Sequence, residues 1–156
     1  MTDDQPLQLP IDGVLDLHTF RPNEVKDLVT DYLAECRARG IPVVVCGGAG
    51  GRQDPSQLRV ADLARSTHDR LLQKVREQLR RGHGFPRGDE LFGVECIYSP
   101  EAPVFPQTDG SVCAQPEAGV ELRLNCDLGY GTASFVTGAF GFLAASLAVR
   151  RIASRS

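Results

Sequence analysis

At 156 residues, 42% hydrophobic and with a formal net charge of −3, the chain is long enough for one domain with a real core and has no bulk attraction to nucleic acid. Five cysteines, Cys36, Cys46, Cys96, Cys113 and Cys126, lie far apart with no CxxC pair, which argues against structural zinc. Their odd number, with an acidic start "MTDDQPLQLP" where a secretory leader would stand, points to free thiols in a reducing, cytosolic setting.

After a loose beginning, "GVLDLHTF" is predicted as a short buried strand, since apolar Val14, Leu15 and Leu17 flank a single Asp16. A helix is predicted through "NEVKDLVTDYLAECRARG". Val25, Leu28, Val29, Tyr32, Leu33 and Cys36 fall at helical spacing, Pro22 suits an early helical position and Gly40 is the stop. "IPVVVCGG" reads as the next strand, giving a strand, helix, strand unit whose natural home is a parallel sheet.

Further on, "LRVADL" is a strand candidate, and "STHDRLLQKVREQLRRG" is predicted as an amphipathic helix with Leu71, Leu72, Val75 and Leu79 on one side. Arg76, Arg80, Arg81 and Arg87 form either a local basic patch or an ordinary solvated helix face, and the solvated face is the simpler reading. A turn-rich region follows: "HGFPRGDE", the strand candidate "FGVECIYS", the proline-broken "PEAPVFPQTDGS" and a strand candidate around "VELRLNCD". The uncharged run from Ala133 to Val149 falls short of the about 20 residues a spanning helix needs and is diluted by small and hydroxyl residues, so a buried helix is expected. Thr137, Gly141 and Ala145 recur every four residues along it, a small-residue stripe that lets another backbone approach.

The stretch "VVVCGGAGGRQDP" raises the question of phosphate binding. "GGAGG" fits neither G-x-G-x-x-G, because Gln53 stands three beyond Gly50, nor G-x-x-x-x-G-K-[ST]. Asp54-Pro55 imposes extended or turn geometry where a helix would have to begin. A sharp exit from the sheet with glycines at positive φ is the expectation. Gly48, Gly50 and Arg52 are the residues that would face an anion here, and Arg52 has the alternative of a salt bridge with Asp54 or Asp62.

From about Gly40 onward the chain resembles the C-terminal half of the tRNA threonylcarbamoyladenosine dehydratases, of the ThiF-like, ubiquitin-activating-enzyme superfamily. The matching pieces, in order, are "RGIPVVVCGGAGGRQDPSQLRVADLARSTHDRLLQKVREQLRR", "FGVECIYSPEAPVFPQTDGSVC" and "LNCDLGYGTASFVTGAFGFLAASLAVRRI". The resemblance implies ATP-driven adenylation and cyclisation of a carbamoyl-threonine carboxylate on a tRNA adenosine, with magnesium, a dimeric and often membrane-associated enzyme, and a sulfur-transfer partner. It also implies an ATP-binding half upstream, where this sequence has unrelated-looking residues, with Thr19 standing where the family's second aspartate would fall after Asp16. No cofactor is therefore expected for this chain alone, since adenylation needs a nucleotide and its metal held in line with the carboxylate.

The opening "LPIDGVLDLHTFRPNEVKDLVTDYLAECRARGI" resembles the first strand and helix of an Smr domain, a nucleic-acid-cleaving module. Leu15, Asp16, Leu17 and His18 match its L-D-L-H motif, and the later H-G-x-G loop is replaced by "CGGAGG". Asp16 and His18 share one strand face, which permits general base work, the other reading being a histidine that caps the following loop. Residues 1–40 thus read as an Smr-like segment and 41–156 as the C-terminal part of a dehydratase domain.

The expected fold is α/β, a partial Rossmann-like parallel sheet with a C-terminal segment of extra strands and a final apolar helix. Cys96 is the candidate for sulfur chemistry, but Glu95 opposes thiolate formation and a buried inert thiol is the favoured reading. Cys113 and Cys126 are weaker candidates, and neither His68 nor His83 is assigned a role. The leading function is a truncated or fused dehydratase-like protein, inactive alone. It is expected to be a cytoplasmic homodimer, with tRNA and a sulfur-transfer protein as partners by resemblance and the C-terminal helix as a peripheral membrane contact. The alternatives are an Smr-like nucleic-acid-binding or nicking protein and a non-catalytic dimerisation module.

Overall fold

A computed structural model describes residues 22–117 and 131–154. The strand expected at "GVLDLHTF" and the one around "VELRLNCD" lie outside the described residues.

Helix α1 (Pro22–Ala38) forms where the apolar spacing predicted it and buries Leu28, Leu33 and Cys36. Gly40, at φ 64°, turns the chain so that Ile41 N donates to Cys36 O at 2.8 Å, closing the last turn. The chain then enters β1 (Val44–Cys46). Strands β2 (Arg59–Asp62) and β3 (Glu95–Tyr98) complete a sheet of order β1-β3-β2.

β1 runs parallel to β3, with Val45 opposite Cys96, whereas β2 runs antiparallel to β3, with Arg59 opposite Tyr98 and Asp62 opposite Glu95. The sheet is therefore mixed and not wholly parallel. The reason is the connection: between β1 and β2 there is a glycine loop and a short 3-10 turn (Pro55–Gln57), with no α-helix to carry the chain back along the sheet. β2 starts at the end where β1 finishes and has to run the other way.

Helix α2 (Arg70–Gly82) buries Leu72, Val75 and Leu79, but Leu71 is 53% exposed, being one residue out of phase with that stripe. Its arginines are only partly a solvated face. Arg76 Nη1 donates to the backbone and hydroxyl oxygens of Ser66, and Arg80 Nε donates to Pro86 O at 3.1 Å while its guanidinium lies over the Phe92 ring.

Alternation along β3 sorts the core into two layers. Cys96 and Tyr98 face α1 and α2, packing with Leu33, Leu72, Val75, Leu79, Phe85 and Phe92. Ile97 faces the other side, onto α3 (Ser134–Ala153), where it meets Val136, Phe140 and Leu147. The result is helices on both faces of a small sheet. The proline-broken stretch holds a small hairpin, β4 (Phe105–Pro106) against β5 (Val112–Cys113), turned by Asp109-Gly110 with Gly110 at φ 86°.

The expectation that the last helix is buried is corrected. Phe135, Phe142, Val149 and Ile152 of α3 are 61%, 82%, 64% and 71% exposed, because a sheet of three described strands offers the helix one stripe of contact and no other described element covers the rest. Its final turn is held by Arg151, whose Nε and Nη2 donate to Glu95 Oε2 at 3.0 and 2.7 Å.

Candidate functional site

The carboxyl ends of β1 and β3 open into two loops, one beginning at Gly47 and the other at Ser99. In open α/β sheets this is the end at which ligands bind. Arg52, Asp69 and Ser99, three of the buried polar side chains, collect there.

Asp69 is the organising group. It caps α2, with Oδ1 accepting from Leu72 N at 2.9 Å, and its Oδ2 accepts from Gly48 N at 2.8 Å. Gly47 has to be glycine, since a Cβ there would run into Asp69 Oδ2. Gly51, at φ 72°, would collide with Val104 O if it bore a side chain, and this closeness lets Val104 N donate to Gly51 O at 2.9 Å. The positive φ expected in this loop is found at Gly51.

Four of the loop's backbone donors are used within the chain. Gly47 N donates to Ile97 O, Gly48 N to Asp69, Gly51 N to Gly131 O and Arg52 N to Ala49 O. Gly50 lies at the turn between them. These N–H groups do not converge on an outside point, so the residues present do not fit a nucleotide triphosphate in the way a phosphate-binding loop does. Glu101, from the loop after β3, accepts from Gln53 N and Asp54 N at 3.0 and 3.1 Å and fixes the loop's far side.

Arg52 is 6% exposed. Its Nη2 donates to His68 O at 3.0 Å, while Nε and Nη1 are buried without a partner among the described residues. Neither salt bridge expected for it forms. Asp54 accepts instead from Ser56 and Gln57, and Asp62 from Ala64 N, Phe92 N and Gly93 N. Burial pulls the guanidinium below its ordinary pKa, opposed by the charges of Asp69 and Glu101. His68 adopts φ 57°, an uncommon left-handed conformation outside glycine, and its carbonyl is the one Arg52 holds.

Of the two readings of Cys96, its burial agrees with the inert thiol. Cys96 is 0% exposed in the centre of β3, and burial pushes its thiol up to about 12, a value that the Ser66 hydroxyl and Arg76 only moderate. A thiol so enclosed is core. Cys113 is exposed on β5. Asp16, His18 and Cys126 lie outside the described residues. His68 precedes α2 and is not part of it, and His83 caps its other end, with Nε2 3.2 Å from Asp31 Oδ1 of α1.

No group of three or more His, Cys, Asp or Glu among the described residues could hold a metal ion. Asp69 and Glu101 escaped the sequence reading. For Asp69 a signal existed, an aspartate directly before an apolar-periodic helix, whereas nothing local marks Glu101.

No family model matches the chain. Among curated proteins it is similar to the tRNA threonylcarbamoyladenosine dehydratase of Escherichia coli, 42% identical over 126 residues, covering 80% of this chain and 47% of the relative. The Haemophilus influenzae enzyme of the same description is 34% identical over 122 residues, covering 77% of this chain and 44% of that protein. Among solved structures, one described as TcdA (CsdL) matches with TM-score 0.67 and 39% identity over 81% of this chain and 46% of its own. The E. coli dehydratase in complex with ATP matches with TM-score 0.63 and 35% identity, over 81% of this chain and 43% of its own. The same enzyme has also been solved with AMP. Over about four fifths of its length the chain is thus homologous to part of these dehydratases, and it spans just under half the length of the relatives it matches.

Proposed function

We propose that the chain is a partial tRNA threonylcarbamoyladenosine dehydratase, truncated or fused, which contributes the glycine loop, the loop after β3 and the C-terminal helix but does not cyclise the modified adenosine alone. The observation that carries this reading is the homology to just under half the length of these dehydratases, joined by the internal use of the loop's N–H groups at Gly47, Gly48, Gly51 and Arg52. Adenylation needs a nucleotide and its metal aligned with the attacking carboxylate, so these residues depend on an ATP-binding portion that they do not themselves supply.

In the same reading the protein is cytoplasmic and works as a homodimer on tRNA beside a sulfur-transfer protein. The outward face of α3 contacts either the second copy or a membrane surface. The enclosure of Cys96 means that any sulfur relay runs through another thiol.

The test is incubation of the chain with ATP, magnesium and tRNA bearing the linear threonylcarbamoyl group, followed by mass spectrometry of the digested nucleosides. No loss of one water from the modified adenosine is expected. Cyclised product from this chain alone would overturn the proposal, as would saturable micromolar binding of ATP in a titration calorimeter.

A further inference from the structure

Arg52 presents a physical anomaly. A guanidinium buried to this degree is normally matched by a carboxylate in hydrogen-bonded contact, because an uncompensated buried charge is costly. Here the two carboxylates whose charges act on Arg52 are hydrogen-bonded to backbone and not to its guanidinium. Asp69 uses both oxygens on Gly48 N and Leu72 N, and Glu101 uses both of its own on Gln53 N and Asp54 N. They act on Arg52 through space, yet among the described residues Nε and Nη1 have no acceptor.

We propose that Arg52 is the anchor of an oxyanion site, for a phosphate or carboxylate group, at the carboxyl ends of β1 and β3. Three observations converge on it. The unpartnered Nε–H and Nη1–H lie on different edges of the rigid, planar guanidinium fork, and each can donate to one oxygen of an anion. The fork sits beside the amino end of α2, a helix of 13 residues whose dipole favours negative charge there. The carbonyl that Arg52 already holds belongs to His68 in its left-handed conformation, so the guanidinium is fixed in place by strained backbone next to that helix end. An anion there supplies the hydrogen-bonded contact that the buried donors lack. The site lies in this chain by itself and goes beyond its proposed role as part of a dehydratase.

The experiment is thermal unfolding of the whole chain in sodium phosphate, acetate or chloride at matched ionic strength, for the natural sequence, Arg52→Met and Arg52→Lys. Phosphate stabilises proteins in general by exclusion from their surface, so the readout is the difference from Arg52→Met. For the natural chain, phosphate or acetate is expected to raise the midpoint saturably over chloride, and whichever does so identifies the group. Arg52→Met is expected to lose the saturable response whatever its midpoint in chloride, since it removes the unpartnered donors. Arg52→Lys keeps the charge without the fork and is expected to bind about tenfold more weakly.

A natural chain with the same midpoint in all three salts overturns the proposal, and so does an Arg52→Met chain that responds as strongly as the natural one. If Arg52→Met does not fold, Arg52→Lys decides: an unchanged dose response overturns the site. These measurements use simple anions and no tRNA, so their failure is separate from failure of the enzymatic reading.

Discussion

Gly48 N and Asp69 Oδ2 are joined by a hydrogen bond of 2.8 Å across 21 residues of sequence, and the same carboxylate caps α2 through Leu72 N. One side chain thus couples the exit of β1 to the first turn of a helix. Asp69→Ala removes the cap and leaves a loop N–H unsatisfied. A loss of about 2 to 3 kcal/mol is expected. Urea denaturation should show a lower midpoint at unchanged slope, and a loss under about 0.5 kcal/mol would mean that the link is not made in solution.

Adjacent glycines in that loop should respond differently to the same change. A methyl at Gly47 meets Asp69 Oδ2 head-on, whereas at Gly48 the nearest atom is that same oxygen at 3.9 Å, an ordinary contact. Gly47→Ala should therefore cost about 1 to 3 kcal/mol as an overpacking change, with Gly48→Ala well below it. Equal losses measured in parallel denaturations would refute this placement of the loop.

Cys96 gives a pH dependence with a defined sign. Its thiol is raised from 9.0 in the unfolded reference to about 12 in the fold, so the folded chain holds a proton that the unfolded chain releases in between. The contribution is complete below the unfolded value and is lost as pH rises from there toward the folded one, at about 1.4 kcal/mol per unit. The stability gap between the natural chain and Cys96→Ala should be constant near neutrality and shrink above about pH 9. A gap that stays constant to strongly alkaline pH would show that Cys96 ionises freely. A thiol reagent at neutral pH should label exposed Cys46 and Cys113 and spare Cys96.

What the sequence revealed and what it hid divide along physical lines. α1, α2, β1 and β3 were legible because their apolar residues recur at the period of the element they form, as Leu28, Leu33 and Cys36 do. The direction of β2 was not, because "RVAD" reads the same in either orientation and the missing crossover helix decides it. The exposure of α3 was not, because an apolar helix is buried only as far as other layers reach it. The glycine loop was legible as a sharp exit from the sheet. The isolation of Arg52 was hidden, since it depends on carboxylates 17 and 49 residues away, at Asp69 and Glu101, spending their oxygens on backbone.

The nucleic-acid-cleaving alternative rests on Asp16 and His18, which lie outside the described residues. Without the second, histidine-bearing loop of an Smr domain, the chain is expected not to nick supercoiled or branched DNA and not to cleave RNA. Magnesium-dependent nicking that vanishes in His18→Ala would put that function ahead of the dehydratase reading.

The outward face of α3 makes the remaining prediction. Phe135, Phe142 and Val149 lie seven residues apart, and Gly138, Ala145 and Ile152 follow each by three, the spacing of a helix seam. The large members of this seam are more than half exposed, and an apolar strip of that kind draws a partner. Thr137 and Gly141 run beside it and meet it at Ala145, all three exposed and small enough for a close backbone approach. The chain is therefore expected to self-associate through α3. Gly141→Leu tests this cleanly, because a Cβ at Gly141 has nothing within 4 Å and the variant should fold as before. In light scattering it should lower the apparent mass, since the inserted side chain overpacks a helix contact by about 1 to 3 kcal/mol. A parallel series with acidic liposomes separates a second copy from a lipid surface, which Arg150 at the helix end would favour. If the natural chain is a monodisperse monomer, unchanged by Gly141→Leu and indifferent to liposomes, the seam is solvated and α3 serves the core alone.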